Sequence, residues 1–206
     1  MKPFLVMALV FTIHNAWADI SVQVIDENHQ PVPNAVITLP NHEQKTPDSI
    51  AVMDQVNVQF SPRVLVIQKG QSVSFPNSDD IRHNVYSFSA PKAFQIKLYK
   101  GNSTAPILFD KPGLVVLGCN IHDDMIGYIY VVNHEFVIKT DKNGKATLPA
   151  NAGDRINIWD ENLSSTINST KTLVLGEEAS QTIMLDLLPS AKQAEHKHAT
   201  SFGKKF

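Results

Sequence analysis

From Ile20 onward, apolar and polar residues alternate at period two, which predicts strands. ISVQVI and AVITL flank the turn-forming DENHQPVPN, predicting a hairpin with a long Pro-rich connection. The polar stretch NHEQKTPDS, Asn41 to Ser49, reads as a linker. VNVQF, VLVI, SVSF, HNVYSF, LVVLG and GYIYVV follow, with turn signals at Gln68 to Gln71, Pro76 to Asp80 and Lys111 to Gly113. Many short strands punctuated by Gly, Pro and Asp indicate an all-β sandwich or barrel. Helix is limited to a turn or two around Pro91 to Tyr99. Beyond Asn133, FVIKTDKNGKATL predicts a second hairpin whose Asn143-Gly144 pair suits a tight turn, and INIW, TLVL and TIMLDLL supply three more strands. The final AKQAEHKHATSFGKKF has little apolar content and reads as a disordered tail over residues 190–206.

The first residues break this pattern. MKPFLVMALVFTIHNAWADI has an early lysine, an apolar run from Phe4 to Ile13 and then Ala16-Trp17-Ala18, so residues 1–18 read as an export signal cut after Ala18. The run is shorter than the ~20 apolar residues that span a bilayer, so no membrane span is expected in the mature protein. The expected location is the periplasm of a Gram-negative cell. A formal charge of −2 argues against nucleic acid as a partner, because phosphate binding needs clustered Lys and Arg.

The chain has one cysteine, so an exported form has no internal disulfide. Cys119 is then a free thiol, an intermolecular partner or a ligand. It sits in LGCNIHDDM, with His122 and Met125 close behind. Blue-copper sites take two imidazole nitrogens and one thiolate, with a weak axial thioether. The C-x2-H-x2-M spacing brings three such donors into one loop. His83, at the start of an apolar strand able to lie beside the one ending at Gly118, is the candidate for the fourth. Alone, each of these residues reads as core or structure; jointly they point to a metal. A tetrahedral zinc site from His83, Cys119, His122 and Asp123 or Asp124 is the competing assignment. A binuclear copper centre needs a second cysteine, and His122 is too near Cys119 in sequence to serve as the base of a nucleophilic thiol. His196 and His198 on the tail read as solvated.

QFSPRVLVIQKGQSVSFPNSDDIRHNVYSF and FDKPGLVVLGCNIHDDMIGYIYVV resemble the cupredoxins, most closely the amicyanin and plastocyanin branch. The shared pattern is F-x-P-x4-[IV]-x2-G, a strand with His-Asn-Val, and a PG turn leading to the Cys-His-Met loop. The resemblance covers about Val52 to Val132 and implies a Greek-key sandwich holding one Cu(I)/Cu(II) ion. It implies His83, Cys119 and His122 as equatorial ligands, Met125 as the axial one, and Asn84 as a residue hydrogen-bonded across to the cysteine loop. Two positions depart from it: Arg82 replaces a proline, and Gly118 replaces a bulky residue. The flanking SVQVIDENHQPVPNAVITL and IKTDKNGKATLP resemble the carboxypeptidase-regulatory-like β-sandwich, with His29 in place of a glycine. The implied organisation is a cupredoxin domain at 51–133, inserted in or flanked by a smaller Ig-like or prealbumin-like sandwich made of 19–50 and 134–189. Such fusions look like bacterial methylamine-utilisation-type proteins.

The function so implied is that of an exported one-electron carrier, with no chemistry on a bound substrate. In the family the second histidine is the electron port, and here Asp79, Asp80, Asp123 and Asp124 would ring it. They would steer a cationic redox partner such as a c-type cytochrome, or a periplasmic dehydrogenase. The rival function is a copper-holding or structural surface module.

Overall fold

The computed structural model describes residues 19–101, 105–164, 166 and 168–189. The expected signal, tail, His196 and His198 lie outside these residues. Strands run in chain order as β1 (Asp19–Ile25), β2 (Val36–Glu43), β3 (Ala51–Val52), β4 (Asp54–Val56), β5 (Gln59–Ser61) and β6 (Val64–Gln68). They continue as β7 (Ser72–Ser74), β8 (His83–Ser87), β9 (Phe94–Tyr99), β10 (Ile107–Leu108), β11 (Gly113–Gly118) and β12 (Ile126–Val132). The last are β13 (Glu135–Lys139), β14 (Lys145–Pro149), β15 (Arg155–Trp159), β16 (Lys171–Val174) and β17 (Ser180–Met184). The all-β expectation holds: among the described residues there is no helix.

The strands form layers whose order follows from which side chains share a core. One three-stranded sheet, β14-β1-β17, packs on the four-stranded β13-β2-β15-β16. Between them lies an aliphatic core that includes Val22, Val24, Ile37, Leu39, Leu148, Ile156 and Ile158. The five-stranded sheet β6-β12-β11-β8-β9 faces the short sheets β10-β7-β3 and β4-β5. Their core holds Met53, Phe60, Phe75, Val115, Leu117, Ile129 and Cys119. A third cluster, Val36, Val64, Leu114, Tyr128 and Trp159, joins the five-stranded sheet to the four-stranded one.

The β6, β12 and β11 part of the five-stranded sheet is therefore covered on both faces, and period two sorts its side chains between them. Along β11, Val115 and Leu117 enter the inner core while Leu114 and Val116 face the joining cluster. Along β12, Ile129 and Val131 point one way and Tyr128 and Tyr130 the other. This is why VLVI, LVVL and YIYVV read as near-continuous apolar runs. At the seam, the Trp159 ring sits 5.5 Å from both Tyr128 and Tyr130. Arg63 donates through Nε and Nη2 to the two oxygens of Glu161 at 2.7 and 2.6 Å. Lys139 Nζ donates to Val64 O at 2.7 Å, and burial lowers its pKa.

Four sequence expectations are corrected. Strands β1 and β2 do not form a hairpin: β1 pairs with β14 and β17, and β2 pairs with β13 and β15. The strands of FVIKTDKNGKATL likewise separate, β13 to β2 and β14 to β1. The Asn143-Gly144 turn forms, with Gly144 at φ 71°, but it carries the chain from one sheet to the other. In both cases the apolar faces of the two strands meet across the aliphatic core. The helical turns expected around Pro91 to Tyr99 are instead strand β9, hydrogen-bonded to β8, with Ile96 and Tyr99 buried. The polar stretch from Asn41 is also partly strand, since β2 runs to Glu43.

Candidate metal centre

Strands β11 and β12 are antiparallel neighbours whose ladder ends at the pair Gly118 and Ile126. Cys119 and Met125 are the next residues outward on either side, so the loop between them starts and ends at the same place. The loop is closed by Met125 N donating to His122 O at 2.9 Å and Ile126 N donating to Asp124 O at 3.0 Å. Cys119 and Met125 are buried, at 3% and 1% exposure, and belong to one core cluster. His122, on the crest of the loop, is only partly buried.

The third strand of the site is β8. Its ladder with β9 shifts register between His83 and Val85. A strand with regular alternation would send His83 and Asn84 to opposite faces; the irregularity lets both turn inward. His83, Asn84 and Val85 are consecutively buried as a result, His83 completely.

Ligand atoms of His83, Cys119 and His122 all lie within 4.8 Å of one another. His83 Nδ1 is 3.9 Å from Cys119 Sγ, and the two imidazole rings meet edge-on with centroids 5.0 Å apart. Asn84 Oδ1 accepts from Asn120 N at 2.9 Å and from the Cys119 thiol at 3.4 Å, tying β8 to the cysteine loop. His122 Nδ1 is buried without a hydrogen-bond partner. Buried polar atoms are almost always partnered, so this lone pair, beside a thiol and a second imidazole, fits a cation that the donors would surround. Thiolate and imidazole are soft or borderline donors, the kind that hold copper or zinc.

Of the four aspartates expected near the site, three face solvent. Asp80 is fully exposed, with Lys100 Nζ 3.3 Å away, and Asp123 and Asp124 are exposed on the loop crest. Asp79 turns inward. Its Oδ2 lies 2.8 Å from His83 Nε2, and its carboxylate also accepts from Asn57 N at 2.6 Å and Val58 N at 2.8 Å. Burial opposes its charge, but the hydrogen bonds from Val58, His83 and Asn57 outweigh it and lower its pKa.

Two further residues at the site escaped sequence reasoning. A Cβ at Gly118 would lie 2.6 Å from the Tyr86 ring and hydroxyl, so the glycine exists to admit Tyr86, its ladder partner on β8. The signal was the small residue where a large one is usual. Tyr99, paired with His83 on β9, donates its hydroxyl to Phe75 O at 2.6 Å and receives Gln55 Nε2. Burial pushes its pKa up to about 12, so it stays a neutral donor behind the site.

No protein-family model and no curated protein matches the chain. Solved structures do. A Cu-containing nitrite reductase from Thermus scotoductus SA-01 is 29% identical over 41% of this chain and 23% of its own, with a TM-score of 0.39. The reduced P94F mutant of amicyanin is 20% identical over 47% of this chain and 98% of its own, with a TM-score of 0.37. A purple cupredoxin from Nitrosopumilus maritimus is 22% identical over 41% of this chain and 100% of its own, with a TM-score of 0.36. The chain thus spans about a quarter of the nitrite reductase's length. The case for the site rests on its side chains.

Proposed function

We propose that this chain is an exported cupredoxin-type protein that binds one copper ion and carries single electrons between redox partners. The observation that carries this reading is the convergence of His83 Nδ1, Cys119 Sγ and His122 at one end of the five-stranded sheet. Copper, when bound, supplies a one-electron Cu(I)/Cu(II) couple held by one thiolate and two imidazoles. The chain's own residues do the rest. His83 and Cys119 are fixed by strands and by Asn84, which keeps the donor positions similar in both oxidation states. Met125, buried in the same core cluster as Cys119, would supply a weak thioether donor. Leu117, Met125 and Phe60 exclude water from the inner side. His122 faces outward from the loop and is the assigned electron port.

Export through residues 1–18 and a periplasmic location belong to this reading. So do the two units, 51–133 as the copper domain and 19–50 with 134–189 as a discontinuous second sandwich of Ig-like type. The partner is assigned as a cationic redox protein such as a c-type cytochrome, or a dehydrogenase, steered by Asp80, Asp123 and Asp124 on the exposed rim. The cluster of His83, Cys119 and His122 suits a one-electron carrier.

The test is titration of the purified mature chain with Cu(II), read by visible absorption and electron paramagnetic resonance, then by voltammetry. An intense thiolate-to-copper charge-transfer band with narrow hyperfine splitting and a reversible wave is the expected result. A colourless protein that prefers zinc contradicts copper, and a coloured protein without a reversible wave is a copper store.

A further inference from the structure

The inward turn of Asp79 joins the Asn57-Val58 hairpin to His83, which lies 25 residues beyond Val58. Its carboxylate accepts from Asn57 N and Val58 N, the two central residues of the β4–β5 hairpin, and also meets His83 Nε2. Asn57 and Val58 stand at φ 54° and 58°, the left-handed geometry of a two-residue turn. Asparagine adopts it readily, whereas a β-branched valine there is a genuine outlier. Both turn amides converge on one carboxylate, so the hairpin and the buried histidine share an anchor.

The anchor is itself held in place. Asp79 N donates to Asn77 Oδ1 at 3.0 Å, and Asn77 Nδ2 donates to Ile81 O at 3.0 Å and Tyr99 O at 2.9 Å. The Asp79 side chain is 13% exposed and the His83 side chain 0%. An ionised carboxylate only accepts hydrogen bonds, so the proton of a neutral His83 sits on Nε2. Nδ1 then carries the lone pair, and it is Nδ1 that faces Cys119 Sγ.

We propose that Asp79 is a positioning residue of the metal site: it locks His83 in the Nε2–H tautomer and, by drawing on that proton, makes Nδ1 a stronger donor to the oxidised ion. The proposal rests on the copper reading above and goes beyond it, because it assigns to Asp79 the setting of the potential. A carboxylate behind a metal-bound imidazole raises the basicity of the ligand, and loss of such support typically costs about 10–100-fold in metal affinity. The more highly charged Cu(II) feels this more than Cu(I). Each tenfold difference between the two corresponds to about 59 mV, so the carboxylate lowers the potential.

The first measurement needs no metal. In the metal-free mature chain, nitrogen-15 histidine spectra should show His83 as the Nε2–H tautomer, with Asp79→Asn populating Nδ1–H. With copper bound, Asp79→Asn should weaken Cu(II) by about tenfold or more and raise the potential by about 59 mV per tenfold difference. Val58→Gly separates this role from turn closure, since glycine closes the hairpin without strain. In the Val58→Gly background, Asp79→Asn should shift the potential as it does in the native chain. If that shift disappears, or if native His83 carries its proton on Nδ1, Asp79 is only a turn clamp and the proposal is overturned. A chain that never develops the copper band contradicts the function, while the metal-free spectra still decide the tautomer.

Discussion

The two sandwiches share a chain and a layer of contact, yet their cores are made of different material. The sandwich of β1, β2, β13 to β17 is filled with valine, isoleucine, leucine and alanine. Its buried polar contacts include a closed pair: Thr140 Oγ1 donates to Val32 O at 2.7 Å and accepts from Ala35 N at 2.9 Å. The core beside the five-stranded sheet contains phenylalanines, Met53, Met125, Tyr99 and Cys119, with His83, Asn84, Gln55 and Asn77 buried next to it. There Asn84 Nδ2, His122 Nδ1 and Gln55 Oε1 are buried without partners. An aliphatic core with closed polar contacts is an arrangement for stability. A core that leaves polar atoms open at one pole gives up stability there, and such costs collect at functional sites.

The sharpest way to break the contrast is to remove the thiol. Cys119→Ser should abolish the copper charge-transfer band completely while the mature chain stays folded by circular dichroism; a variant that keeps the band contradicts the ligand assignment. Next is the seam. Trp159 is 1% exposed and wedged between Tyr128 and Tyr130, so Trp159→Ala should cost about 3–5 kcal/mol by urea unfolding. If the sandwiches are one cooperative unit the native chain melts in a single transition, and the variant should split it. Gly118→Ala drives a methyl into Tyr86 and should cost about 1–3 kcal/mol, with Tyr86→Ala restoring the copper spectrum that the strain disturbs.

How far the sequence spoke depends on the range over which each feature is encoded. Strand positions were legible because alternation is local, and the Cys119, His122, Met125 loop was legible because its spacing is local. Partner choice was not: ISVQVI and AVITL carry equally good alternation whether they pair or face each other across a core. Asp79 was read as a surface charge because its orientation depends on a hairpin at Asn57 and Val58, far off in sequence. Gly118 marked a departure whose meaning required Tyr86 across the ladder. The double burial of β6, β11 and β12 did leave a trace, in runs such as LVVL that are apolar at every position.

A smaller effect lies at the seam's rim. Burial raises the pKa of Asp160 above its ordinary 3.8, with Glu161 adding repulsion and the Asn162 N–H opposing. The folded state therefore disfavours the charged form. Above pH 3.8 the unfolded chain holds fewer protons than the folded one, so stability falls as pH rises through the folded value and is level beyond it. Asp160→Asn, which keeps an acceptor for Asn162 N, should flatten that decline and be more stable than the native chain at neutral pH. A pH series of urea midpoints reads this directly.

The central claim is that His83, Cys119 and His122 hold one copper ion, and X-ray absorption of the copper-loaded mature chain tests it most directly. The account predicts one copper per chain with a single short sulfur contact and two imidazole nitrogens. It further predicts that Cys119→Ser removes the sulfur and His83→Gln removes one nitrogen. A first shell without sulfur, or one unchanged by either substitution, would contradict it.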